Sequence, residues 1–169
     1  LTETIARMPF VVAFAYTQDE TNHFADLLLP EATDLEGTQL IRCGGTKFVE
    51  QAWAHRGVVL RQPVVPPQGE ARDFTWIATE LARRTGLLER YVDRINKGAA
   101  LLPLSGEGWD FRLPTDQVPE VDAIWDAVCK AATAELSGGT QVQGLAEMKQ
   151  RGWFTVPHTR VDWYLTPTM

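Results

Sequence analysis

The pattern of apolar positions opens with two uninterrupted runs. Residues 9–16, PFVVAFAY, are apolar throughout and rich in Val and Phe. A run without polar alternation suits a strand covered on both faces, as in a parallel sheet. Residues 25–29, ADLLL, form a second buried-type run that Pro30 ends, because proline brings no backbone donor to a ladder. About nine residues separate the two runs, fewer than the dozen or more of an ordinary parallel crossover. Either the crossover is compressed or one run is not a strand. Residues 47–53, KFVEQAW, alternate imperfectly, and residues 58–65, VVLRQPVV, predict an edge strand interrupted by Pro63.

The period then changes from two to 3.6. After Asp73, a suitable helix N-cap, Phe74, Ile77, Ala78, Leu81 and Ala82 recur on one helical face, and Gly86 is a fitting stop. Leu88, Tyr91, Val92 and Ile95 make a second stripe that Gly98 ends. Residues 99–118 carry Pro103, Gly106, Gly108 and Pro114 and read as a long irregular loop. Pro119 opens a third helix with Val121, Ile124, Trp125, Val128, Cys129 and Ala132 on one face, closed by Gly138 and Gly139. A short helix is predicted over residues 145–150. Residues 153–169, with two prolines and four aromatics, read as a linker or docking tail. Strands come first and helices after, which is the pattern of an α/β fold: a partial layered sheet with flanking helices. A partial layer of this kind would expose strand edges that a preceding half would cover.

Composition narrows the class. The chain has 169 residues, 44% apolar and 22% charged, which is ordinary for a globular protein with its own core. A net charge of -6 speaks against general affinity for nucleic acid or anionic lipid, which takes clustered Lys and Arg. No apolar run approaches the ~20 residues of a membrane helix, so no direct membrane insertion is expected. Cys43 and Cys129 are the only cysteines and form no short-spaced motif, which fits a reducing compartment. The chain opens on Leu1 and runs almost at once into a strand. That predicts a piece of a longer protein whose targeting signals lie outside it.

Candidate chemistry is sparse. His23, His55 and His158 lie far apart, so no zinc-ligand spacing is present, and there is no GxSxG or phosphate-binding GxxxxGK[ST] motif. Cys43 before Gly44 and Gly45 reads better as a small residue in a turn than as a nucleophile, since no base stands nearby in sequence. The carboxylates Asp19, Glu20, Asp26, Glu31, Asp34 and Glu36 cluster, and caps and turn contacts account for them more readily than acid–base chemistry. In open α/β sheets ligands bind outside the carboxyl ends of the strands, so the segments after Phe14 and after Leu29 are where a ligand belongs.

The residues FVVAFAYTQDETNHFADLLLPEATDLEG resemble a stretch of the dimethyl sulfoxide reductase family of molybdopterin oxidoreductases. In that family a buried strand precedes a T-E-T-A-like turn, an A-D-V-V-L-P segment and a downstream Glu. Here Asp19-Glu20-Thr21-Asn22, the segment from Ala25 to Pro30, and Glu36 are similar to them. PPQGEARDFTWIATELARRTG resembles the family's P-x-G-E-A-K-x-D-W start of a helix and its L-A-x-R-x-G end, and GLAEMKQRG resembles a later short helix. The three segments cover roughly half the chain.

The resemblance implies the later half of a Rossmann-like third domain of the large catalytic subunit. This domain helps to hold one guanosine end of a bis(molybdopterin guanine dinucleotide) cofactor with molybdenum or tungsten. It implies cofactor-binding positions at Ala15, Thr21, Gly37 and Asp73. At Ala15 and Gly37, where family members carry acidic and Lys side chains, the expected contact is through the backbone. For Thr21 a turn hydrogen bond, for Asp73 a helix cap, and for Asp26 a structural bond are the readings that compete with ligand contact. No catalytic residue, metal ligand or iron–sulfur cysteine is expected in this piece, and an iron–sulfur cluster belongs elsewhere in the parent. The implied partners are the remainder of the large subunit and an iron–sulfur electron-transfer subunit. Location would be cytoplasmic, or membrane-associated through partners. CGGTKFVEQ, where the family has N-x-E-G-R-x-Q, points to a divergent branch. Branches acting on sulfur compounds, arsenic oxyanions or a thioester such as phenylacetyl-CoA are candidates. Two other classes compete: a non-catalytic scaffold that docks an electron-transfer subunit on the helices at 74–85 and 120–137, and a free-standing nucleotide-binding domain. The second lacks a G-x-G-x-x-G after its first strand.

Overall fold

A computed structural model of the chain describes residues 2–43 and 55–157. The imperfectly alternating segment at 47–53 lies outside them. The chain forms two compact units: Leu1–Thr38 with Gln62–Ala78, and Gln39–Arg61 with Thr79–Met169.

The first unit contains the short helix α1 (Thr2–Ile5) and the strands β1 (Val12–Ala15) and β2 (Leu27–Pro30). The two strands pair in parallel, from Val12 opposite Leu27 to Ala15 opposite Pro30. The crossover is compressed, and side-chain hydrogen bonds show how. Asp19 Oδ1 accepts from the backbone N–H groups of Thr21 and Asn22, both at 2.8 Å. The Asn22 side chain accepts from the Asp19 N–H at 2.9 Å and donates to the Thr17 carbonyl at 2.8 Å. These bonds wind residues Asn22–Phe24 into a 3-10 turn, so that a loop replaces the usual crossover helix. Asp26 Oδ2 accepts from the Val11 N–H at 2.8 Å, the structural bond expected of it. The expectation of burial on both faces is corrected. Val12 is 40% exposed, and Leu27 and Leu28 are each 43% exposed. A parallel pair is covered only by layers on both of its faces, and the described residues of this unit do not supply two.

The second unit holds the main core. Strands β3 (Gln39–Cys43), β4 (His55–Arg61) and β7 (Trp153–Pro157) form an antiparallel sheet in the order β3-β4-β7. Two expectations change here. The strand expected at 58–65 begins earlier, stops before Pro63, and is central rather than an edge, with Leu40 opposite Leu60 on one side and Val58 opposite Phe154 on the other. The first five residues of the expected tail are a strand, while residues 158–169 lie outside the described residues. The helices α3 (Leu88–Asn96), α4 (Val121–Ser137) and α5 (Leu145–Arg151) match the periodic segments. Gly138 closes α4 at φ 64°, a left-handed conformation that glycine adopts without strain. The helix α2 (Phe74–Arg84) begins among residues of the first unit and ends among those of the second.

Leu40, Val58, Leu60, Ile124, Val128, Met148 and Phe154 meet in one cluster, so the inward face of the sheet packs against α4 and α5. The loop at 99–118 is less irregular than expected. It contains a hairpin of β5 (Ser105–Gly106) and β6 (Trp109–Asp110), and its Leu102 and Leu104 belong to the core. Cys129 is buried, and that burial, helped by the charge of Asp126, pushes its thiol pKa up to about 12. It is therefore an inert core residue. No helix among the described residues is long and apolar enough to cross a membrane.

Candidate functional site

A cleft of about 430 Å3 runs along β1 to its carboxyl end, lined by residues 11–17 with Ile5, Asp19, Thr21, Asn22 and Glu31, the residue that follows β2. That volume falls within the roughly 300–1,000 Å3 of small-molecule sites. Ala15 ends β1, and its carbonyl accepts from the Glu31 N–H at 3.1 Å. Thr21 stands in the crossover loop with its N–H committed to Asp19. Phe14, one of the lining residues, meets Phe74 edge to face, with ring centroids 6.0 Å apart.

Gly37 and Asp73 come together beside one another. A Cβ added to Gly37 would lie 2.8 Å from Asp73 Oδ2. Asp73 caps α2: its Oδ1 accepts from the Thr75 N–H at 2.8 Å, and its carbonyl accepts from the Ile77 N–H at 3.0 Å. The structure thus brings Ala15 and Thr21 to one cleft, and Gly37 and Asp73 to one contact. Glu31 lines the cleft, whereas Gly37 and Asp73 are not among its lining residues. In the sequence Glu31 is one of a cluster of carboxylates that read as caps and turn residues. Its place directly after the strand-ending Pro30 was the available signal, because ligands favour strand ends.

Partial burial raises the Glu31 pKa above its ordinary value, with the charges of Asp73 and then Asp34 adding to the effect. Glu36 is shifted the other way. Its carboxylate accepts from the Thr33 N–H at 2.8 Å and the Gln68 N–H at 3.2 Å, which favours the charged form. A folded-state pKa raised above the unfolded value gives stability that is present below about pH 4.5 and lost as pH rises through the folded value. Glu31→Gln is therefore expected to raise the melting temperature at pH 7 and to leave it unchanged at pH 4. Equal melting temperatures at pH 7 would remove the case for repulsion at this strand end.

Other clefts lie within the second unit. The larger, about 1000 Å3, is bordered by Asp93, Lys97, Asp110 and Arg112. Its charges are already paired with each other, Lys97 with Asp93 at 2.8 Å and Arg112 with Asp110 at 2.6 Å. Arg112 holds the Asp110 carboxyl down at about 2. Among the described residues no group of three or more His, Cys, Asp or Glu is placed to hold a metal ion.

Residues 1–84 match the molybdopterin oxidoreductase family. The whole first unit, with its strand-end cleft, lies inside the match. Curated relatives agree with it. Trimethylamine-N-oxide reductase 1 of Escherichia coli is 30% identical over 106 residues, which are 63% of this chain and 12% of that protein. The thiosulfate reductase molybdopterin-containing subunit PhsA of Salmonella typhimurium is 32% identical over 107 residues, 63% of this chain and 13% of that protein. Both relatives are oxidoreductases, and the matched stretch spans about one eighth of their length.

Proposed function

We propose that this chain is part of the catalytic subunit of a molybdopterin-dependent oxidoreductase. Its strand-end cleft holds one guanosine end of a bis(molybdopterin guanine dinucleotide) cofactor carrying molybdenum or tungsten. One observation carries this reading: the family match contains every residue that lines the cleft. The parallel β1–β2 pair with a ligand cleft at its carboxyl end supports a Rossmann-like origin for this unit.

The residues present fit a nucleoside. Ala15 and Tyr16 border the cleft, and Asp19, Thr21, Asn22 and Glu31 are among its polar residues. When bound, the cofactor supplies electron or oxygen-atom transfer at its metal. The chain's own residues bind and orient the nucleotide end, so the isolated 169 residues have no redox turnover. The remainder of the same subunit and an iron–sulfur electron-transfer subunit are the partners this role requires. Sulfur compounds, arsenic oxyanions and an aryl-acetyl thioester such as phenylacetyl-CoA are the candidate substrates of the parent. The competing scaffold reading loses support at α4, whose apolar face is spent on the core of the second unit.

The natural polypeptide that contains these residues, once purified, is expected to carry molybdenum or tungsten and to release guanine nucleotide on acid hydrolysis. A pure, folded polypeptide with neither metal nor guanine nucleotide would overturn the proposal.

A further inference from the structure

An antiparallel sheet with one face on a core ordinarily turns polar residues outward. The outward face of β3-β4-β7 departs from that rule. Ile41 pairs with Val59, and Val59 pairs with Trp153, so the three form one row across the sheet. All three are exposed, whereas Leu40, Val58, Leu60 and Phe154, which alternate with them along the strands, are buried. Directly opposed side chains are neighbours, so the row is one continuous apolar strip rather than scattered residues, the kind of patch that marks an interaction site. Three strands about 4.8 Å apart make it roughly 10 Å wide, close to the width of one α-helix. The next outward position along β4 is Gly57, between Cys43 and Thr155, so only small residues border the strip on that side.

The charge of this face is also distinct. The chain has a net charge of -6, yet β3, β4 and β7 contain no Asp or Glu. Arg61 shares the face of Val59 by strand alternation. The Arg151 guanidinium carbon lies over the Trp153 ring, 5.6 Å from its centroid. An arginine stacked on an aromatic ring keeps its planar donor fork available to a carboxylate. We propose that this sheet face docks an amphipathic helix of a second protein, with the apolar stripe of that helix on Ile41, Val59 and Trp153 and carboxylates on its flank reaching Arg151. Charge complementarity selects this occupant. A second copy of the same face would set arginines against arginines. The surface lies within the second unit and is independent of the cleft reading.

The test titrates the 169-residue chain with two synthetic amphipathic helices that share a leucine stripe, one flanked by Glu and the other by Lys. Binding is followed by backbone amide shifts and by protection of Cys43 from iodoacetamide. Cys43 is partly exposed on the outward face and Cys129 is buried, so Cys43 is the thiol that reacts. The Glu-flanked peptide is expected to shift the amides of β3, β4 and β7, to protect Cys43, and to bind about 10-fold more tightly than the Lys-flanked one. Arg151→Glu is expected to reverse that preference. Trp153→Ser is expected to abolish binding of both peptides with an unchanged circular dichroism spectrum. No shifts at this face, equal affinity for the two peptides, or an unchanged preference in Arg151→Glu would overturn the proposal. A dimer of the chain that itself protects Cys43 would overturn it in favour of a second copy. Failure of iodoacetamide to label Cys43 in the natural polypeptide that contains these residues would overturn it too, because the same polypeptide would then cover the face.

Discussion

Gly57→Ala lowers the stability of the second unit by about 3 kcal/mol, the upper range for overpacking a well-packed site. Gly57 lies in the middle of β4, opposite Cys43 on one side and Thr155 on the other. An added Cβ would stand 2.2 Å from the Phe154 carbonyl oxygen and 2.9 Å from Thr155 Cα. Both are backbone atoms, so no side-chain rotation relieves the clash. The β4–β7 ladder must separate, and Phe154, which that ladder holds in the core, must move with it. Urea unfolding followed by circular dichroism measures the change. A wild-type midpoint for Gly57→Ala would mean that β7 does not pair with β4 in this register.

Leu104→Ala has a comparable cost, about 3 kcal/mol within the range for a fully buried leucine. Leu104 is completely buried although it belongs to the segment between α3 and α4. Its N–H donates to the Asn96 carbonyl at 2.9 Å, and its own carbonyl accepts from the Phe111 N–H at 2.8 Å. The Asn96 side chain completes the tie, donating to the Leu113 carbonyl at 2.9 Å and accepting from the Leu113 N–H at 2.8 Å. With the backbone pinned on both sides, the loop does not collapse into the space left by truncation, so a cavity remains. Leu87→Ala is the control: Leu87 is 48% exposed and its loss is expected to cost well under about 1 kcal/mol. Equal unfolding midpoints for the two variants would show that residues 99–118 are a surface loop after all.

The helices were legible because their apolar positions recur at the helical period and glycines stand at their ends. The α4 stripe of Ile124, Trp125, Val128, Cys129 and Ala132 is buried as its spacing predicts. The apolar runs of β1 and β2 pointed to a parallel pair with a compressed crossover as one of two alternatives, but not to their exposure, which depends on what covers them. The place of β4 was misread because Pro63 follows it closely, and β7 was missed because Pro157 and Pro167 dominate its segment. Pairing across almost a hundred residues leaves no local signal. Leu104 escaped notice because Pro103 and Gly106 beside it mark a loop, while a single buried leucine has no period.

The site was legible in part. The strand-end rule pointed to the segments after Phe14 and Leu29, and those segments border the cleft. The contact between Gly37 and Asp73 joins residues 36 positions apart and depends on a missing Cβ. Neither hydropathy nor motif spacing encodes such a contact. The resemblance named both positions without indicating that they touch.

The claim that this cleft receives a guanosine end is tested most directly by adding GMP to the 169-residue chain and recording its backbone amide shifts. The amides of Ala15, Tyr16, Thr17, Thr21 and Glu31 are expected to move together, and those along α4 to stay fixed. Shifts along α4 without any at the cleft, or no shifts at all from a folded chain, would contradict it.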